Sequence, residues 1–148
     1  HREEVDAREL IPRIAQRYGF GDVPIDIAPA LPQLVRLDKL RFERILANLI
    51  DNALRHAPAG TEVTVSLTGR NDQVLLTVDD HGPGVPTEVE STLFDKFSRD
   101  HSSSGKIGLG LYFCRITVER WGGRIGYMPR APVGSRFWVY LPRPPARA

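Results

Sequence analysis

Twenty residues from Asp38 to Ala57, DKLRFERILANLIDNALRHA, run without a proline or a glycine. Asp38 suits an N-cap, and Pro58 and Gly60 close the far end, so this stretch predicts one long helix. At 3.6 residues per turn, Phe42, Ile45, Leu46, Leu49, Ile50, Ala53 and Leu54 fall on one broad apolar arc. An arc of that width has to be buried against a second layer. Opposite it runs a narrower polar row. Asn48, Asn52 and Arg55 stand at i, i+4 and i+7, within roughly 60° of one another, with Arg41 and Arg44 on the same side. Two amides and a guanidinium in a row suit a hydrated cation held together with a polyphosphate. Mg²⁺ takes oxygen ligands, keeps several waters, and borrows further oxygens from phosphates. The same row also suits a solvated helix face.

The flanking segments supply the layer that the helix needs. Residues 6–18 place Leu10, Ile11, Ile14 and Ala15 at helical spacing, with Pro12 expected in the first turn or at a kink. Residues 24–28 and 32–38 read as two short strands, the second feeding the long helix. Residues 62–68 (EVTVSLT) and 73–79 (QVLLTVD) alternate cleanly and predict an antiparallel hairpin across GRND. Thr87 and Glu90 fit a capping box at the start of a short helix carrying Leu93 and Phe94. Residues 98–107 read as a mobile loop, Gly108 to Trp121 as a helix stopped by Gly122-Gly123, and RIGYM and SRFWVYLP as closing strands. The tail from 142 is expected to fray. Hairpins mixed with helices predict an α+β fold: a two-layer sandwich with a mixed, mostly antiparallel sheet of about five strands, covered on one face by three main helices.

A chain of 148 residues fits one domain, and its opening, HREEVDARELI, reads as cut from something longer. A domain of this size buries roughly 70% of its unfolded surface and needs no disulfide staple. The single cysteine, Cys114, excludes an intrachain disulfide and a cysteine-rich zinc site. No apolar run reaches the ~18 residues of a transmembrane helix. A net charge of +2 gives no case for nucleic acid as a partner.

Three further segments carry chemistry. Asp80-His81-Gly82-Pro83-Gly84 leaves a buried strand. LFDKFSR follows at 93–99. Gly105-Lys106-Ile107-Gly108-Leu109-Gly110-Leu111 opens the last helix. Glycines at 108 and 110 let backbone N–H groups approach a phosphate, and the helix adds the positive end of its dipole. The pattern is neither a Walker loop nor Gly-x-Gly-x-x-Gly. Asp80 suits a turn former, and equally an acceptor for the exocyclic amine of adenine. Guanine presents a carbonyl at that edge, so a carboxylate there selects against GTP.

In this order the four segments resemble the N, G1, F and G2 boxes of the sensor histidine kinase catalytic domain, the Bergerat ATP-binding fold shared with type II topoisomerases, Hsp90 and mismatch-repair ATPases. The resemblance runs from about Arg36 to Pro142 and includes the closing Gly-Gly-x-Ile and Gly-Ser-x-Phe strands. It implies ATP and Mg²⁺ as ligands. By the resemblance Asn52 is the metal ligand and Asn48 its phosphate-side helper, Arg55 reaches phosphate, and His56 stands where an aromatic residue packs near the base. Asp80 reads adenine on a loop shaped by Gly82 and Gly84. Arg99 is associated with the γ-phosphate, so Asn48 and Arg99 take the catalytic roles. Lys106, Gly108, Leu109, Gly110 and Leu111 line the phosphates, and residues 100–107 form the ATP lid. Phe94 and Phe97 match the F-box aromatics.

The chain departs from the pattern at Ile107, where Ser, Thr or Ala is usual, at Lys106, where Gly is common, and in a short lid. None of its histidines, at 1, 56, 81 and 101, precedes an acidic residue. The resemblance therefore implies a phosphoacceptor histidine on a separate helical domain of a dimeric parent kinase, a cognate response regulator, and a cytoplasmic position in a parent anchored in the bacterial membrane. Rival readings are a topoisomerase- or Hsp90-type ATPase, an anti-sigma-type serine kinase, and a module that binds ATP only structurally. The first two place Glu where this chain has Asn48, and an amide is no general base.

Overall fold

The computed structural model describes residues 1–27, 33–70, 72–96, 98–99 and 107–144, with the backbone alone at 98–99 and 107–109. In chain order the elements are β1 (Glu3–Asp6), α1 (Ala7–Arg17), β2 (Ile25–Ile27), β3 (Leu34–Leu37), α2 (Lys39–His56), β4 (Thr64–Arg70), β5 (Gln73–Asp80), α3 (Thr87–Glu90), β6 (Ser98–Arg99), β7 (Ile107–Gly108), α4 (Leu109–Arg120), β8 (Arg124–Pro129) and β9 (Ser135–Pro142).

The main sheet has the order β2-β4-β5-β9-β8. The β2–β4 pair is parallel and the rest are antiparallel. Register sets its apolar face. Val65 lies opposite Val78 and Leu67 opposite Leu76, while Val74, Leu76 and Val78 lie opposite Leu141, Val139 and Phe137. Cross-strand partners share a face, so these residues form one continuous wall, and all of them are buried. α2 packs on β5, α4 on β8, and α1 against α2. The expected two-layer α+β architecture is the one observed.

Caps set the helix ends. Asp38 accepts from the Arg41 N–H at 3.1 Å at the start of α2. Gly19 (φ +79°) ends α1, where Gly19 N–H donates to Gln16 and Phe20 N–H to Ala15. Gly122 (φ +82°) ends α4 in the same way, with Gly122 N–H on Glu119 and Gly123 N–H on Val118. Both are Schellman ends, which favour glycine at the left-handed position.

Several expectations need correction. Leu54, assigned to the apolar arc, is 41% exposed, whereas Phe42, Ile45, Leu46, Leu49, Ile50 and Ala53 are fully buried. Pro12 sits in the second turn of α1, not the first; it is exposed, so water can serve the Arg8 carbonyl it leaves without a donor. The capping box is absent. Pro86 takes the cap position with no side-chain cap, and α3 ends at Glu90, before Leu93 and Phe94. The hairpin break is two residues, since β4 and β5 pair through Arg70 and Gln73. The loop expected over 98–107 has paired ends, Ser98 with Gly108 and Arg99 with Ile107, so Gly108 belongs to a strand and α4 starts at Leu109. Residues 100–106, the bulk of the lid, lie outside the described residues. Of the tail expected to fray from 142, residues 145–148 lie outside the described residues, and Pro142 and Arg143 are held. Pro142 pairs with Gln73, and Arg143 donates from its N–H to Asp72 and from its side chain to Arg70 and Gln33.

Candidate functional site

Asn52 lies only 20° of helix wheel from Ile45, at the margin of the apolar arc rather than opposite it. The fold accordingly buries it, leaving 4% exposed, while Asn48 one turn earlier is half-buried. The Asn52 side-chain nitrogen Nδ2 is buried without a hydrogen-bond partner among the described residues. A buried amide in that state is costly unless something else completes it. One turn on, His56 Nδ1 lies 2.7 Å from the Asn52 carbonyl oxygen. A carbonyl only accepts, so the proton sits on Nδ1. Arg55 reaches back to Asp51 at 3.3 Å.

Glycine-bearing turns bracket this row at both ends. A Cβ on Gly110, in the first turn of α4, would stand 3.7 Å from the Asn48 amide, so α4 packs directly over Asn48. A Cβ on Gly82 would stand 2.5 Å from the His56 carbonyl oxygen, a contact no side chain tolerates. The loop after β5 is thus pressed onto the end of α2. Asp80, the last residue of β5, is 1% exposed, and its Oδ1 accepts from the Gly82 N–H at 2.7 Å. Gly84 takes φ +82°, which favours glycine.

The structure therefore brings Asn48 to Gly110, and His56, one turn after Asn52, to Gly82 and so to Asp80. Leu111 is half-buried in α4 beside Gly110. Gly108 and Leu109 are placed by backbone alone, at the junction of β7 and α4. The Arg99 backbone pairs with Ile107; its side chain, Lys106 and Phe97 lie outside the description. Phe94 stacks edge-on against Phe137 with ring centroids 6.1 Å apart, consistent with core packing.

Three features next to these residues were not foreseen from sequence. Cys114 lies under Asn48, with Asn48 Nδ2 4.0 Å from its Sγ. Tyr127 of β8 accepts from the Val85 N–H at 2.9 Å, and Arg130 donates to the Asp80 carbonyl at 2.9 Å. No local spacing signals them, because Cys114 meets its partner through the packing of α4 on α2, and Tyr127 and Arg130 meet theirs because sheet pairing sets the β8–β9 hairpin beside β5. Two clefts lie elsewhere: one of about 160 Å³ lined by His1, Arg2, Asp38, Arg41, Thr117, Arg120 and Trp121, and one of about 480 Å³ lined by Tyr18, Leu40, Arg41, Glu43, Arg44 and Phe113. Neither includes any of the residues that the sequence singled out for the site. Among the described residues no three of His, Cys, Asp and Glu converge as a metal cage, and no helix is long and apolar enough to cross a membrane.

Comparison with known proteins identifies the family and the fold. The family described as histidine kinase-, DNA gyrase B-, and HSP90-like ATPase matches residues 37–145. The alginate biosynthesis sensor protein KinB of Pseudomonas aeruginosa is 35% identical over 118 residues, 80% of this chain and 20% of that protein. The sensor protein KdpD of Escherichia coli is 38% identical over 123 residues, 81% of this chain and 14% of that one. The chain thus spans a fifth or less of either relative. Among solved structures, the mycobacterial sensor histidine kinase MprB superposes with a TM-score of 0.81 at 29% identity, covering 98% of this chain and all of that one. The chain belongs to the histidine kinase-, DNA gyrase B- and HSP90-like ATPase family, with the architecture of the ATP-binding catalytic domain of a sensor histidine kinase.

Proposed function

We propose that this chain holds Mg-ATP between α2, the loop after β5 and the start of α4, and presents the γ-phosphoryl group to a histidine on a separate helical domain. The carrying observation is the buried, incompletely bonded Asn52 amide in a row with Asn48, between two glycine turns. Amides suit Mg²⁺ better than a carboxylate cage would, since the ion expects its remaining oxygens from phosphate and water. Asn52 would hold the ion through its amide oxygen and offer the unpaired Nδ2 donor to a phosphate oxygen or a water, with Asn48 beside it on the phosphate side. When bound, the ion neutralises charge on the phosphate oxygens.

The chain's own residues do the rest. The Asp80 carboxylate, fixed by the Gly82 N–H, accepts from the adenine amine and disfavours guanine. His56 packs at the base side. Backbone N–H groups at Gly108, Leu109 and Gly110, with Leu111 and Lys106 near them, line the phosphates, and Arg55 and Arg99 add positive charge. Transfer breaks the bond between the γ-phosphorus and the bridging oxygen, releases ADP, and forms a phosphorus–nitrogen bond to the acceptor imidazole. Catalysis then rests on positioning and charge neutralisation. Asn48 cannot ready a water, which favours transfer over hydrolysis. The acceptor domain of a dimeric parent and a response regulator are the proposed partners, and the inner face of a membrane-anchored parent the proposed location.

The test incubates the chain with γ-labelled ATP alone, then with a separately produced helical domain bearing the acceptor histidine. Acid-labile, base-stable label on the added domain only is expected, with Asn52→Ala losing more in Mg²⁺ than in EDTA. Stable label on the chain itself, or rapid phosphate release without an acceptor, overturns the proposal in favour of a serine kinase or an ATPase. An equal loss with and without metal removes Asn52 as a ligand.

A further inference from the structure

The closing hairpin β8–β9 supplies none of the residues assigned above to nucleotide or metal, yet it touches the loop after β5 at both ends. At the near end, Asp80 is the last paired residue of β5, opposite Ser135. Arg130, in the hairpin turn, donates through Nη1 to the Asp80 carbonyl at 2.9 Å, and its Nε lies 3.9 Å from Asp79 Oδ2. The turn is closed by the Arg130 N–H on the Gly134 carbonyl. Gly134 takes φ +126°, and a Cβ there would stand 2.2 Å from the Asp80 carbonyl oxygen. Asp79 is held in turn by Arg136, which bonds both its carboxylate oxygens at 2.7 and 2.8 Å. At the far end, the Tyr127 hydroxyl accepts from the Val85 N–H at 2.9 Å and lies 3.3 Å from where a Cβ on Gly84 would be. The Tyr127 ring is fixed against Phe137, centroids 5.4 Å apart.

We propose that the β8–β9 hairpin sets the geometry of the adenine-reading loop, with Arg130 and Tyr127 as its positioning residues. The inference rests on the reading of Asp80 as the adenine acceptor. Asp80 is the last residue of β5, where the strand passes into the loop, and its carboxylate direction follows the backbone at that junction. The Gly82 N–H bond fixes the side chain relative to the loop, but only contacts from outside fix the loop relative to the sheet. Arg130 and Tyr127 supply such contacts on either side of the Gly82-Pro83-Gly84 bend. Loosening either lets the carboxylate leave the place where an adenine amine meets it. Guanine, which that carboxylate disfavours, loses no contact when it shifts, so GTP binding is not weakened by the change.

The test measures ATP and GTP binding by calorimetry, in Mg²⁺, for the intact chain and for Tyr127→Phe, Arg130→Met, Arg130→Lys and Asp80→Asn, with thermal unfolding alongside. Tyr127→Phe removes one oxygen and Arg130→Met one donor set. Each is expected to weaken ATP roughly fivefold while GTP changes by less than about twofold, the scale of one net hydrogen bond. Arg130→Lys, which keeps a donor, should recover most of the loss. A lower folded fraction alone would weaken both nucleotides equally, so the ATP-to-GTP ratio isolates positioning from stability. If Asp80→Asn collapses that ratio while Tyr127→Phe and Arg130→Met leave it intact, the hairpin does not position the loop. If Asp80→Asn also leaves the ratio unchanged, the adenine reading itself fails, and this inference with it. Should Arg130→Met not fold, Tyr127→Phe decides.

Discussion

Cys114 shows how far one side chain can be from what its residue type suggests. It is fully buried where α4 meets α2, its thiol 3.9 Å from the Ile45 carbonyl as well as near the Asn48 amide. Burial pushes the thiol up to about 12, against a smaller opposing pull from the Asn48 hydrogen bond and the Arg44 charge. In the unfolded chain it ionises near its ordinary value of 9.0. The folded state therefore favours the protonated form, an advantage intact below pH 9 and lost as pH rises toward 12. At pH 10.5 the loss is about 2 kcal/mol. Urea unfolding at pH 8 and pH 10.5 checks this: Cys114→Ala should start less stable but fall less steeply, and parallel slopes would refute it. From the sequence, Cys114 excludes only an intrachain disulfide and a cysteine-rich zinc site, since nothing local shows that it lies beneath Asn48. Asn48 and Asn52 were legible as a row because the helix wheel gives direction. The wheel already sets Asn52 close to Ile45, at the margin of the apolar arc, but it does not give neighbours, which is why the exposure of Leu54 had to come from the fold.

At the level of elements, the helices and the strands of the two hairpins were legible because their periodicity is long. β1 was not. EEVD has one buried apolar residue, Val5, and its pairing with β3 joins segments some thirty residues apart. The joint hangs on Asp6, whose Oδ1 accepts from the Arg8 N–H, capping α1, and from the Gln33 N–H, holding the entry to β3, both at 3.0 Å. Asp6→Ala leaves both donors unmet and should cost about 2 kcal/mol, whereas Asp6→Asn keeps an acceptor and most of the stability. The measurement is the urea midpoint at unchanged slope. Equal losses in the two variants would mean that the charge, not the pair of hydrogen bonds, holds the joint.

Among the described residues one apolar cluster runs from Val5, Ile11 and Val35 through α2 to Val78, Phe137 and Leu141. The small β1–β3 sheet shares the core of the large one, so the chain should unfold as one unit. Trp121 follows α4 and Trp138 lies in β9. Their near-ultraviolet circular dichroism should lose intensity in step with the far-ultraviolet helix signal, and separated transitions would show two units. Fold class, layers and the number of strands in the main sheet were readable at this scale; the parallel β2–β4 edge was not, since a three-residue strand carries no mark of its partner. The two-residue ladder of β6 and β7 adds something that no single residue reveals. By pinning Arg99 beside Ile107, it holds the chain at a fixed point directly before α4. A break in that ladder should therefore be felt first at the opening turn of α4, where Gly110 packs on Asn48, and only later in the register of the main sheet.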